Sequence, residues 1–253
     1  GRVAVDKLIR SAGECHAETE SEMDAFLAGE LNQMSLEERQ KVFEELHGVD
    51  SIVQETPEFI AKSLAELEEN IVGIHPKEAY EMAEEISTHY VHNESFRLMF
   101  LRADWFDPVK AAKRLVLFFE CRLALFGPSL LTRALTIDDL GPDDMTTLKS
   151  GYFQLLPSRD TSNRAVYFNA QGMFKRAYKS SFNMNRVLHY LLCTMSEDME
   201  TQIHGCVVVM YQIGSFEYDP PPDLFTKAGT SLTVPGSPVR LCGVHMCLEH
   251  PVM

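Results

Sequence analysis

The chain predicts an α/β protein, with a helical bundle in its front half followed by helices and strands that alternate to build one mixed sheet. Apolar residues recur at intervals of three and four through most of 56–126, the period of a helix with one buried face. Two apolar runs, 152–156 and 165–169, flank the turn-forming stretch from Pro157 to Asn163, as the strands of a hairpin would. A third run at 206–211 follows a helix-length segment directly, so strand 165–169, the helix and strand 206–211 read as a right-handed β-α-β crossover with parallel strands.

Ser35 to Glu38 has capping-box spacing and opens a helix to His47, with Gly48 as its stop. Thr56-Pro57 supplies a cap and a first-turn proline, and Ile60, Leu64, Leu67 and Ile71 carry that helix to Gly73. Pro76 opens another by the same logic, running to about Val91, with Glu78, Glu81, Glu84 and Glu85 crowded towards the dipole end that favours them. Asn93-Glu94-Ser95 matches a glycosylation sequon, but its place before the apolar segment 96–103 makes Asn93 or Ser95 a helix cap.

Asp107-Pro108 opens the most apolar helix, which ends at Phe126-Gly127. Lys110, Lys113, Arg114 and Glu120 mark its polar face, and Ala111, Leu115, Phe118, Phe119 and Leu123 its buried ones. With helix 96–103 it forms a hairpin that turns at 104–107, pinned by Trp105 and Phe106. A short helix after Gly141-Pro142 runs to Ser150. The crossover helix spans about 182–203, with Met184, Leu188, Leu191, Leu192, Met195, Met199 and Ile203 on one face, and a last strand covers 239–248.

Charge is uneven. The net value is −14, and residues 1–95 hold 22 of the 37 acidic side chains but only 7 of the 23 basic ones. Such a front half argues against nucleic acid, which requires a basic surface, and it would be repelled by an anionic bilayer. It reads as a solvated helical face, or as an arm that docks a protein partner. No run approaches the ~18 apolar residues of a membrane span, so membrane contact is expected to be peripheral and transient. The opening lacks a long apolar core and begins at Gly1, which suggests a missing start and an intracellular, cytoplasmic protein. Six scattered cysteines fit reduced thiols in that compartment.

The usual hydrolase, nucleotide and zinc-protease signatures are absent, so neither an enzyme nor a cofactor is expected. Cys242, His245, Cys247 and His250 are zinc-ligand types at close spacing, but alternation along an extended strand would send them to opposite faces.

The string Phe100-Leu101-Arg102-Ala103-Asp104-Trp105-Phe106-Asp107, followed by Ala111 and Ala112, resembles the FLRAR-x-FD signature of the CRAL-TRIO family. Asn163-Arg164-Ala165-Val166-Tyr167-Phe168 resembles that family's GRPVYF strand, with Asn for Gly and Ala for Pro. Runs 206–211 and 238–246 follow in the family's order. The chain departs at Tyr211, where relatives carry an acidic residue, and in the proline-broken stretch 215–237, which is helical in relatives. It stops near the point where the family's gate helix begins, and so looks like a partial CRAL-TRIO protein.

The resemblance implies an acidic helical region at 1–93, a CRAL-TRIO helical part at 94–135 and a partial lipid-binding domain at 136–253. It also implies non-covalent binding, and possible transfer between membranes, of a hydrophobic lipid such as a phospholipid or isoprenoid. A regulatory module of the same fold, docking partners through the acidic region, is the alternative. By position the lipid-lining places fall on Leu156, Tyr167, Tyr190, Cys206 and Val208, of which the two tyrosines match the family. The basic stretch Arg159, Arg164, Lys175, Arg176, Lys179 and Arg186 reads either as a solvated loop or as a face for anionic headgroups.

Overall fold

The structure, a computed structural model, describes residues 53–212 and 233–248, and residues 25, 28, 29, 32–36 and 38–40 before them. The helix end expected at 41–47 and most of the stretch 215–237 lie outside the described residues. The chain divides into units 1–51 and 52–253. In the first, the capping box forms: Ser35 N donates to Glu38 Oε2 at 2.8 Å and Glu38 N to Ser35 Oγ at 3.2 Å.

In the second unit α1 (Pro57–Val72) starts where Thr56 Oγ1 accepts from Phe59 N. The helix expected from Pro76 to Val91 is two, α2 (Glu78–Ile86) and α3 (Thr88–Val91), because the Ser87 hydroxyl leaves the helical path and caps Tyr90 N. Asn93 caps α4 (Glu94–Ala103) through Phe96 N, and Asp107 caps α5 (Pro108–Phe126) through Val109 N and Lys110 N. Leu67, Ile71, Tyr80, Ala83, Val91, Phe96, Phe100, Leu115, Phe118 and Phe119 close one core among these helices. Its rings meet edge-on, as in Phe96 with Phe118 and Phe118 with Phe119.

Arg114 does not lie on the polar face of α5 that its spacing suggests. It is 5% exposed and grips Asp104 with two hydrogen bonds of 2.6 and 2.8 Å, while its third group donates to Ser237 O. A long guanidinium with several donors is satisfied in a core where a lysine would not be.

Beyond α6 (Pro142–Lys149) the chain enters β1 (Phe153–Arg159) and β2 (Ala165–Ala170), then α7 (Phe174–Ala177), α8 (Ser181–Ser196), α9 (Met199–His204), β3 (Cys206–Gln212) and β4 (Leu241–Leu248). The four strands form one mixed sheet in the order β1-β2-β3-β4, with β1 antiparallel to β2 and the other pairs parallel. The crossover helix expected over 182–203 breaks after Ser196. Asp198 Oδ2 accepts from Thr201 N and starts α9 afresh, leaving Met199 half exposed instead of buried.

Two glycines allow β3 and β4 to reach the helices. Gly205, at φ 77°, turns α9 into β3 where a Cβ would lie 2.5 Å from Cys242 Sγ and 2.8 Å from Arg240 O. Gly236 crosses the α5 backbone so closely that a Cβ would meet Leu117 O and Phe118 N at 2.9 Å. Gly236→Ala is therefore expected to cost about 1–3 kcal/mol through forced repacking. Urea unfolding should show it as a lower midpoint at unchanged slope.

Candidate functional site

Strand alternation turns Ala165, Tyr167 and Asn169 towards α8, and the register extends that face across the sheet. Leu155, Tyr167, Val208 and Val244 form one row through all four strands, and Phe153, Asn169, Met210 and Met246 the next. Below them Ala165, Cys206 and Leu241 share a shorter row. Met184, Val187, Leu191 and Met195 of α8 cover Tyr167 and Cys206, while Tyr152 and Phe174 close over Phe153. Cover thins towards the C-terminal ends of β3 and β4: Val208 and Met210 are half-buried, Val244 is 42% exposed and Met246 64%.

Of the five residues expected to line a lipid pocket, Tyr167, Cys206 and Val208 lie on this face, and Tyr190 packs against the same core from α8. Leu156 does not join them. The β1 ladder is regular from Phe153 to Leu155, which pairs with Tyr167, so ordinary strand alternation turns Leu156 outward, 40% exposed. Met210, Val244 and Met246 belong to the face although the family positions did not indicate them. The alternation of Val244, Met246 and Leu248 was the available signal.

The Tyr167 hydroxyl is buried and has no hydrogen-bond partner among the described residues. Burial raises its pKa well above the ordinary tyrosine value and pushes the Cys206 thiol up to about 12. Both groups are therefore protonated at neutral pH, and Cys206 is a packing group without nucleophilic character.

A polar cluster behind α8 fixes the orientation of that helix. His189 is fully buried between the rings of Phe118 and Phe126, with Cys121 Sγ 3.5 Å from its Nδ1 and Thr233 Oγ1 3.5 Å from the same sulfur. Arg122, 1% exposed, donates to Leu130 O and Arg133 O and reaches Cys193 Sγ at 3.8 Å. Arg186 ties α8 to α6 through Asp144 at 2.8 Å and stacks on Phe126.

A small cleft beside the helical corner is lined by Val53, Glu55, Arg102, Trp105, Phe106, Ile203 and Arg240. Its arginines are committed to structure: Arg102 holds Glu55 and Gln202, and Arg240 donates to Arg102 O and Ile203 O while its guanidinium lies 3.6 Å over the Trp105 ring.

Cys242 is buried at the irregularity between β3 and β4 and donates to His204 O, whereas His245 and Cys247 are exposed on the face away from Val244. His250 lies outside the described residues. Among the described residues no three His, Cys, Asp or Glu side chains are placed to hold a metal ion, and no helix is long and apolar enough to cross a membrane. None of the five described cysteines is in a disulfide. No protein-family model and no curated protein matches the chain.

Burial, with the nearby Arg122 charge, lowers the pKa of His189 from 6.5 to about 3. A histidine held neutral in the fold contributes its full stability above its unfolded pKa, near 6.5, and loses it as the pH falls from there towards about 3. Urea unfolding across that range should show a stability slope approaching about 1.4 kcal/mol per pH unit from this group. His189→Gln should remove that component of the slope.

Proposed function

We propose that the chain binds a hydrophobic lipid non-covalently, in the manner of the CRAL-TRIO proteins it resembles in sequence. One observation carries the reading: an apolar sheet face runs from a covered core to the uncovered side chains of Val244 and Met246, with the unbonded Tyr167 hydroxyl in the same row as Val244. An acyl or isoprenoid chain laid on Val208, Met210, Val244 and Met246 would gain about 25 cal/mol for each Å² of apolar surface removed from water. Tyr167 and Tyr190 supply ring faces for the same cargo, and the Tyr167 hydroxyl a donor for a polar headgroup. The mixed sheet and the helical hairpin before it support the resemblance at the level of architecture. The reading needs no bond-making chemistry, and the buried, protonated Cys206 and Tyr167 suit a carrier.

Native mass spectrometry of the purified chain, followed by organic extraction, tests it: a stoichiometric lipid is expected, and a ligand-free protein that also takes up no added lipid would overturn it in favour of a regulatory module. The double variant Val244→Ser/Met246→Ser changes exposed side chains and should fold normally yet hold cargo about tenfold more weakly. Tyr167→Phe removes a buried unpaired hydroxyl, so the empty protein should be unchanged or up to about 1–3 kcal/mol more stable while affinity for a polar-headed lipid falls.

A further inference from the structure

The six basic residues between 159 and 186 separate into two groups once their partners are known. Arg159 is paired with Asp198, Arg164 with Asp160 and Arg186 with Asp144. Lys175, Arg176 and Lys179 are exposed and have no carboxylate partner among the described residues. They stand on and just after α7, a single helical turn held from below by Phe174 and Ala177, both buried, and by the Thr147 hydroxyl donating to Ala177 O at 2.7 Å. On either side of these cations a large apolar side chain points into solvent, Met173 at 44% exposed and Phe182 at 52%.

We propose that this surface, Met173, Lys175, Arg176, Lys179 and Phe182, docks the protein on an anionic phospholipid bilayer. Each part matches one property of the interface. Three unpaired cations within five residues match the negative surface potential of phosphatidylserine- or phosphatidylinositol-bearing membranes. Met173 and Phe182 match the boundary between headgroups and acyl chains, where a ring and a thioether leave water at little cost. A nucleic acid or a purely acidic peptide would satisfy the cations but leave both apolar groups in water. The chain's net charge of −14 does not prevent docking, because screening at physiological salt limits each charge's reach to about 8 Å and the local patch decides the contact. The proposal extends the carriage reading, since a carrier must meet a bilayer to load, but it is tested separately.

The full chain is sedimented with vesicles of phosphatidylcholine alone and of phosphatidylcholine with phosphatidylserine at about four to one, at low and physiological salt. Binding to the mixed vesicles that weakens with salt is expected. Lys175→Gln/Arg176→Gln/Lys179→Gln should lower it by about a hundredfold, and Met173→Ser/Phe182→Ser by about tenfold. Both variants alter exposed side chains and should keep co-purified lipid at the wild-type level, whereas Val244→Ser/Met246→Ser should hold cargo about tenfold more weakly and keep vesicle binding. A carrier without this surface would therefore show cargo and no dependence on phosphatidylserine, and a surface without carriage would show the reverse. Equal binding to both vesicle types, or wild-type binding by the glutamine triple variant, would overturn the proposal. So would retention on polyglutamate that ignores the Met173 and Phe182 changes, which would assign the patch to an acidic protein.

Discussion

Arg240 joins the helical half of the molecule to its sheet, and the elements around it depend on that junction. Its guanidinium donates to Arg102 O at the end of α4 and to Ile203 O in α9, while its flat face lies on Trp105. Trp105 and Phe106 both sit at positive φ, 57° and 59°, a conformation that costs an ordinary side chain about 1–2 kcal/mol. The stacking on Trp105 and the packing of Phe106 against Phe59 offset that strain and hold the turn between α4 and α5 in one shape. The same residue leads directly into β4, and its carbonyl accepts from Cys206 N at 2.8 Å to set where β3 begins.

Arginine does similar work elsewhere in the fold. Arg97 holds Glu68 and Tyr80, Arg102 joins Glu55 to Gln202, and Arg114 locks Asp104. The side chains of Arg114 and Asp104 are both 5% exposed, so removing the arginine would leave a buried carboxylate unpaired at a cost of about 3–5 kcal/mol, whereas Glu68 and Glu55 stay more open to water and their pairs are worth less. These pairs therefore contribute more to register than to net stability: each fixes which turn of one helix faces which end of another.

The consequence for the candidate site is asymmetry. α8, oriented by His189, Arg122 and Arg186, lies over the start of the sheet and over β1 and β2, and cover falls away towards the ends of β3 and β4. The apolar face therefore passes from closed to open along its own strands, with Val244 and Met246 at the open end. The patch around α7 has a different origin. There Phe174 and Ala177 point inward, and the alternation of a single turn leaves Lys175 and Arg176 outside.

Much of this was legible in the amino-acid sequence. Thr56, Asn93 and Asp107 are caps whose side chains compete for the first free amides of a helix, and they marked helix starts because that competition is local. The apolar runs gave the hairpin and the crossover rule the parallel pair, but β1 runs on through Pro157 to Arg159, so the turn is shorter than the stretch 157–163 whose composition suggested it. Ser87 and Asp198 were harder to read, since a polar residue inside an apolar pattern breaks a helix only when its side chain finds a backbone partner. Leu156 falls on the opposite side from Leu155 by plain strand alternation counted from Phe153, a period that an apolar residue at an outward position hides in the sequence. Arg114 looked solvent-facing by period alone; Asp104 and Ser237 O, 10 and 123 residues away, make it a core residue. The sequence by itself determined the main helices and strands, their order and the chemistry available on each, because propensity, capping and periodicity act over a few residues. Tertiary structure decided which arginines are buried, which cations remain unpaired and which end of the sheet face stays open, because each depends on groups that meet only when distant parts of the chain pack together.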